Sequence, residues 1–376
     1  MTLQIVKVES RRDLKRFVTL PIELLSRYDA FVPPLIREDM ELFDPKKNPA
    51  FETSEAALFL ALQDGRPVGR IAAVLSHGAN NKYKEKNLRF GWVDFIEDYD
   101  VFTALMEKAE EWGREKGMTS ITGPQGFTDL DPMGTLVEGF DRLSTIATIY
   151  NPPYYPLFME RYGFTKRIDY VEFLTKIPDV SALPPKWLKT VDWVKDRYGL
   201  SLMKFDSMKK LADTRGMELF TLLDESFEDL YGTVPLTENQ KRHYIKKYLP
   251  LVSLHYIQAV QNKEGVMVGF IITMPNLSEA FKKIKGRLLP FGCLRILKAL
   301  KKPTTLDFYL AGVKKEYRNK GVDVMMTLEI ARQAMAKGLV WAESNPELED
   351  NKKVHNEWRF FNPTQHKRRR IYGKSL

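Results

Sequence analysis

A single cysteine, Cys293, stands in 376 residues. No intrachain disulfide can form, so the fold must rest on packing; a lone thiol suits a reducing compartment. Zinc-finger spacing and a glycine–aromatic single-strand-binding pattern are both missing. Long apolar runs are missing too: no stretch approaches the roughly 18 residues of a spanning helix. The nearest, "LLPFGCLRILKAL" (288–300), is short and carries Arg295 and Lys298. It reads as a core or surface helix, or as a contact for a membrane surface or an acyl chain. The opening "MTLQIVKVESRRDLKRF" has no uninterrupted apolar core and no small-residue cleavage site. No secretory leader is read there, and the expected location is cytoplasmic.

What is present is a globular composition, 44% hydrophobic, with a net charge of +9. At roughly 100–200 residues per domain the length suggests two domains. Much of the basic excess lies late in the chain, at 282–287, 298–302 and 366–370. Basic charge raises encounter rates with anions without naming the anion. Nucleic acid, anionic lipid and a phosphate-rich cofactor all fit.

The chain breaks at "KIPDVSALPPKW" (176–187), where three prolines read as a linker. The expected division is 1–178, a linker at 179–189, and 190–376. The two sides resemble each other. "LFLALQDGRPVGRIAAVLS" (58–76) and "LHYIQAVQNKEGVMVGFIITM" (254–274) read as hairpins whose second strands open on Val68-Gly69 and Val268-Gly269. A strand and an amphipathic helix follow each: 89–98 then 100–117, and 305–313 then 323–338. Each helix ends at Lys-Gly, a C-terminal signal, and a further strand comes next, at 118–124 and 339–346. Asn151 and Asn351 then open another helical stretch, as N-caps do. A duplicated unit accounts for this order, with insertions at 125–141 in the first copy and 276–304 in the second.

This arrangement resembles the GNAT acetyltransferase superfamily. The carrying features are a Val-Gly return strand, then a strand, a basic Gly-containing turn, an amphipathic helix, a strand, and an Asn followed by aromatics. The resemblance covers most of the chain in two copies and is strongest over 254–376. It implies an α/β (α+β) fold of two GNAT-like units, each a mixed, mostly antiparallel twisted sheet flanked by helices. It also implies an acyl-CoA-dependent N-acyltransferase, with acetyl-CoA or another acyl-CoA as donor and a small-molecule or peptide amine as acceptor.

In the second copy the turn reads Arg318-Asn319-Lys320-Gly321-Val322-Asp323. In the family its N–H groups face the pyrophosphate, as at any helix N-terminus. Arg318 and Lys320 add cationic charge, with Lys314 and Lys315 just before. Asp323 departs from the family's Gly or Ala and places a carboxylate where it would repel phosphate. Backbone N–H groups near Ala311, Gly312 and Val313 map to the donors that meet a thioester carbonyl, and Asn351 maps to the Asn that the family shows after the strand that follows the helix. The first copy has an acidic link instead, Glu97, Asp98 and Asp100 with Asp94 upstream, which implies a degenerate copy without CoA.

For chemistry, Glu343 is the candidate base, with Glu225 and Glu228 behind it. Trp358 stands where the family often has a tyrosine acid, and Tyr372 and His355 do not replace it, so the acid is unassigned. "DLDP" (129–132) lacks calcium-loop spacing, and no metal is expected. The insertion at 125–141 reads as a loop. The competing reading is a GNAT-fold protein that uses another donor, aminoacyl-tRNA or a long acyl chain, or one that only binds.

Overall fold

The computed structural model describes residues 2–177, 179, 185–351, 355 and 361–376. Along the first half run β1 (Leu3–Lys7), α1 (Arg11–Leu25), α2 (Ile36–Leu42), β2 (Ser54–Gln63), β3 (Arg66–Ser76), α3 (His77–Tyr83), β4 (Asn87–Phe95) and α4 (Tyr99–Glu115). Then come β5 (Ser120–Gly123), β6 (Thr135–Glu138), α5 (Tyr154–Arg161) and β7 (Thr165–Lys176). The second half supplies α6 (Pro185–Tyr198), β8 (Ser201–Leu202), α7 (Met208–Phe227), α8 (Glu238–Lys247), β9 (Ile257–Gln261) and β10 (Met267–Pro275). It ends with α9 (Ser278–Ile284), α10 (Gly292–Lys301), β11 (Thr305–Val313), α11 (Val322–Ala336), β12 (Trp341–Ser344), β13 (Glu347–Leu348) and β14 (Thr364–Ser375).

The hairpin β2–β3 forms because Asp64 and Gly65 both accept positive φ, at 48° and 78°, in a two-residue connection between Gln63 and Arg66. The repeated Val-Gly has a packing cause. A Cβ on Gly69 would lie 2.7 Å from Leu105 of α4, and one on Gly269 would lie 2.6 Å from Val322 of α11. In both halves glycine lets the helix settle onto the middle of the sheet. There α4 buries Val101, Phe102, Leu105, Met106 and Ala109, and α11 buries Met325, Met326, Leu328, Ile330, Ala331 and Ala334. The opposite face is covered by α1 in the first half and by α7 and α8 in the second.

The fourteen strands of the described residues belong to one hydrogen-bonded sheet, in the order β1-β2-β3-β4-β5-β14-β7-β12-β11-β10-β9-β8, with β6 attached to β14 and β13 to β7 off this path. The last strand of the chain, β14, sits between β5 and β7, and β7, the last strand of the first half, pairs with β12. Each half therefore lends its final strand to the ladder that joins them.

Several expectations shift. The stretch 125–141 is not all loop: β6 lies within it and pairs with β14. Asn151 does not cap α5; its buried side chain accepts from Leu136 N at 2.6 Å and donates to Leu136 O at 3.1 Å, clamping β6. The outer strands β1 and β8 were not read from the sequence. The second Pro-rich part of the linker, 180–184, and most of the helical stretch after Asn351, with Trp358, lie outside the described residues.

Candidate functional site

The opening is built where two parallel strands part. β11 and β12 run in parallel register from Thr305 opposite Trp341 to Phe308 opposite Ser344. β12 then stops, while β11 continues for five residues to Val313. At the parting point the pairing of β11 with β10 slips: Ile272 faces Leu310 but Thr273 faces Phe308, so Tyr309 is the extra residue of a bulge. Asn345 holds the gap by donating its N–H to Phe308 O and its side-chain amide to Tyr309 O, both at 3.1 Å.

At the far end of β11 the chain turns into α11. Asn319 and Gly321 both take left-handed φ, 60° and 79°, and Gly321 is the helix N-cap with no side chain bonded to the first-turn N–H groups. A helix in this state offers free donors and the positive end of its dipole to an anion. The cations around it are not equally free. Arg318 donates from Nε to Val313 O at 3.1 Å and from NH2 to Ser226 O at 3.3 Å, tying the turn to the end of α7. Lys314 pairs with Glu316, and the Lys320 ammonium lies 5.0 Å from the ring centre of Tyr198 and 5.3 Å from that of Tyr317. Lys315 is exposed, and Asp323 is half-buried in the first helical turn. Ala311 is exposed and Gly312 is buried against Ser226.

Between the parting point and the centre of the sheet lies a row of buried charge that the sequence reading largely missed. Asp307 on β11 faces Glu343 on β12, and Glu172 on β7 faces Lys367 on β14. The Lys367 ammonium lies 2.5 Å from Glu343 and 3.1 Å from Glu172, and Arg369 Nε donates to Glu172 at 2.5 Å. His366 Nε2 is 3.4 Å from Glu343. Asp307 accepts twice from the Asn276 amide, at 2.9 and 3.1 Å. Asp307, Glu172, Lys367 and Arg369 are each at most 1% exposed, and Glu343 is 7% exposed. Three carboxylates thus meet two fixed cations in a dry site, which leaves one negative charge uncompensated.

That imbalance shows in the proton affinities. Burial, then the neighbouring Glu343, hold the Asp307 carboxyl well above the usual carboxylate range. Burial raises Glu343 as well, against the pull of Lys367. His366 is pushed down to about 4 by burial and by Lys367, so it is neutral at pH 7. Burial and the same two carboxylates raise the Tyr309 phenol, whose hydroxyl has no hydrogen-bond partner among the described residues. Glu172, Glu343 and His366 are close enough to hold a metal ion, but Lys367 already places its ammonium between the two carboxylates.

Of the residues read from the sequence, Ala311–Val313 and Arg318–Asp323 come together at the open end of β11. Glu343 lies one strand away and opposite Asp307, four residues back, about 13 Å along the strand from Ala311. Asn351 accepts from His355 N at 3.1 Å, at the start of the stretch outside the described residues. Glu225 and Glu228 are exposed near the end of α7. Asp131 accepts from Thr128 N at 3.0 Å, a local turn contact. The run 366–370 is not a surface patch: Lys367 and Arg369 are buried, and Arg368 and Arg370 both pair with Asp169.

This order of strands and helices, twice along the chain, is a tandem GNAT-like fold. It is similar to a tandem GNAT protein from the clavulanic acid biosynthesis pathway, with a TM-score of 0.58 and 13% identity, covering all of this chain and 98% of that one. In sequence the chain is 29% identical over 381 residues to a protein of Caulobacter vibrioides called bacterial ceramide synthase, covering 100% of this chain and 98% of the relative. It is 28% identical over 375 residues to protein YghO of Escherichia coli, covering 98% and 94%. No protein-family model matches the chain.

Proposed function

We propose that the protein is an acyl-CoA-dependent N-acyltransferase whose second half binds the donor. The carrying observation is the uncapped N-terminus of α11 beside the parted ends of β11 and β12. The pyrophosphate would sit against the N–H groups from Asn319 to Asp323, with Lys315 and Lys320 close by, and the thioester would follow the free edge of β11 near Ala311. Gly321 is required by the fold in any case, since its φ is 79° and an added Cβ would meet Val194 of α6 at 2.8 Å.

The relative called bacterial ceramide synthase supports a particular acceptor and donor. Ceramide is a long-chain amino alcohol acylated on nitrogen, so the substrate amine is of that class and the acyl group is fatty rather than acetyl. Transfer needs the amine to lose a proton while its lone pair forms the C–N bond and the electron pair of the C–S bond leaves on sulfur. The Asp307–Glu343 pair is the proton acceptor. Burial raises the proton affinity of both carboxyls above the usual carboxylate range. Tyr309 stands in the bulge between this pair and Ala311, its hydroxyl without a partner among the described residues.

A second reading draws on Asp323, whose carboxylate stands in the first turn of the same helix: the fold would then serve another donor, such as aminoacyl-tRNA, or binding alone. Calorimetric titration with CoA and with a fatty acyl-CoA, beside Gly321→Glu, separates the two. Micromolar binding that the variant loses supports the first. A wild type that binds neither overturns it in favour of the second.

A further inference from the structure

The insertion 276–304 carries eight cations and one carboxylate, a net +7 in a chain whose total is +9. It folds as α9 and α10, and neither helix hangs loose. Asn276 N–H donates to Thr305 O at 2.8 Å and closes the base of the insertion. Lys282 bonds Asp29 O at 2.6 Å, Ile36 N–H donates to Gly286 O at 3.1 Å, and Arg295 donates to Lys283 O at 2.7 Å. α10 is thereby fixed in orientation on the first half of the molecule.

What α10 presents outward is apolar. Leu289 is 75% exposed, Phe291 70%, Leu294 64%, Leu297 56% and Leu300 40%. Phe291, Leu294, Leu297 and Leu300 recur every third residue and form one winding stripe. Arg295, Lys298 and Lys301 each follow a stripe residue by one position, so a basic stripe runs alongside the apolar one, and both are exposed. Soluble surfaces do not normally leave five large apolar side chains together in water.

We infer that this face docks on an anionic lipid bilayer, with the leucines and Phe291 entering the acyl boundary and the flanking lysines and arginines meeting acidic headgroups. The pairing of the two stripes selects this partner. A nucleic acid would take the cations and leave the apolar stripe wet. A bilayer interface offers hydrocarbon and anionic charge at adjacent depths, and long basic side chains reach from one to the other. At about 15 Å, α10 is too short to span and long enough to lie in the headgroup plane. Its anchor also reaches the buried charge: Asn276, which opens the insertion, holds both oxygens of Asp307. Docking therefore brings a membrane to the same insertion that supports the candidate base.

The inference does not rest on the acyltransferase reading, and its test records no turnover. The full chain is sedimented with vesicles of phosphatidylcholine alone and of phosphatidylcholine with about one-third phosphatidylglycerol. The wild type should partition to the acidic vesicles and be released by raising salt to about 0.5 M. Leu294→Glu with Leu297→Glu, and separately Lys298→Glu with Lys301→Glu, should each lower partitioning on the order of tenfold, with circular dichroism and CoA titration unchanged. These residues are exposed, so folding is not at stake. A wild type that stays in the supernatant with acidic vesicles overturns the inference, as does partitioning that both variants retain. A dimer on size exclusion that the double leucine variant dissolves would give the stripe to a second copy and overturn it as well.

Discussion

The two halves end their fourth strand, β4 and β11, in different ways. In the first half the end of β4 is filled. Tyr154 donates to Phe95 O at 2.7 Å, Phe95 N–H donates to Tyr155 Oη at 2.9 Å, and the Tyr155 ring stacks on Phe95 with centres 4.1 Å apart. The following helix is closed as well, because Asp98 accepts from Asp100 N at 2.9 Å and caps α4. In the second half the equivalent position is Val313, which pairs with Gly269 as Phe95 pairs with Gly69. Its carbonyl is held by Arg318, and the helix cap is Gly321. His355, four residues after Asn351 as Tyr155 is after Asn151, has its ring edge-on to Phe173, 5.2 Å between centres. Among the described residues, the end of β4 is thus filled by the first half's own tyrosines, while the helix that follows β11 has no side-chain cap.

The largest effect should come from cutting the comparison apart. If the halves were independent units, 1–178 and 179–376 would each fold. The strand order predicts otherwise: 1–178 loses β14 from between β5 and β7, and 179–376 loses β7. Expressed singly, each fragment should be insoluble or lack a cooperative melt, and co-expression should restore a soluble complex. Two separately folded, monomeric fragments would break the prediction.

Next in size is the seam itself. Lys367→Met strips the cation from between Glu172 and Glu343 while keeping the length of the side chain. Removing one partner of a buried ion pair leaves a charge stranded and typically costs about 3–5 kcal/mol. Urea unfolding should show a loss of this order; a loss under about 1 kcal/mol would mean that water reaches the site. Adding Glu343→Gln should recover part of it, since Glu343 is the carboxylate left without a cation while Glu172 keeps Arg369.

A smaller change sharpens the difference between the cleft ends. Tyr155→Phe removes the acceptor of the buried Phe95 N–H and should cost about 1–3 kcal/mol. CoA affinity should not change, because the proposed donor site lies in the second half. A variant with altered CoA affinity at intact fold would move the donor site into the first half.

The repeated elements were legible because local signals set them. Asp64-Gly65 dictates its hairpin, Lys-Gly ends α4 and α11, and the 200-residue offset of Gly69 and Gly269 marks two helices that press on glycine. The basic turn at 318–323 was found for the same reason. The buried charge was not found, because its logic is long-range. "HKRRR" looks like a solvated patch until β14 is known to lie beside β7; only then do Lys367 and Arg369, on alternate positions of one strand, point to Glu172. That alternation was the available signal, as was Asp307, a lone carboxylate in "TLDFYLAGV". β1 and β8 escaped because edge strands of two to five residues carry little periodicity.

The smallest effect is a pH dependence that belongs to the second half's side of the seam alone. His366 titrates about 4 in the fold against 6.5 unfolded, since burial and Lys367 oppose its charged form. Between those values the unfolded chain binds a proton that the folded chain refuses. The stabilising contribution is therefore complete above pH 6.5 and declines as pH falls toward 4. Asp307 works in the opposite sense: its raised proton affinity favours the fold at low pH, and this contribution is lost as pH rises through its folded value. In His366→Gln the decline in stability from pH 6.5 to 4 should be shallower than in the wild type, with the curves parallel above pH 7. Parallel curves throughout would mean that His366 takes up its proton without leaving the fold, and that the dry cluster around Glu343 opens to water before the sheet does.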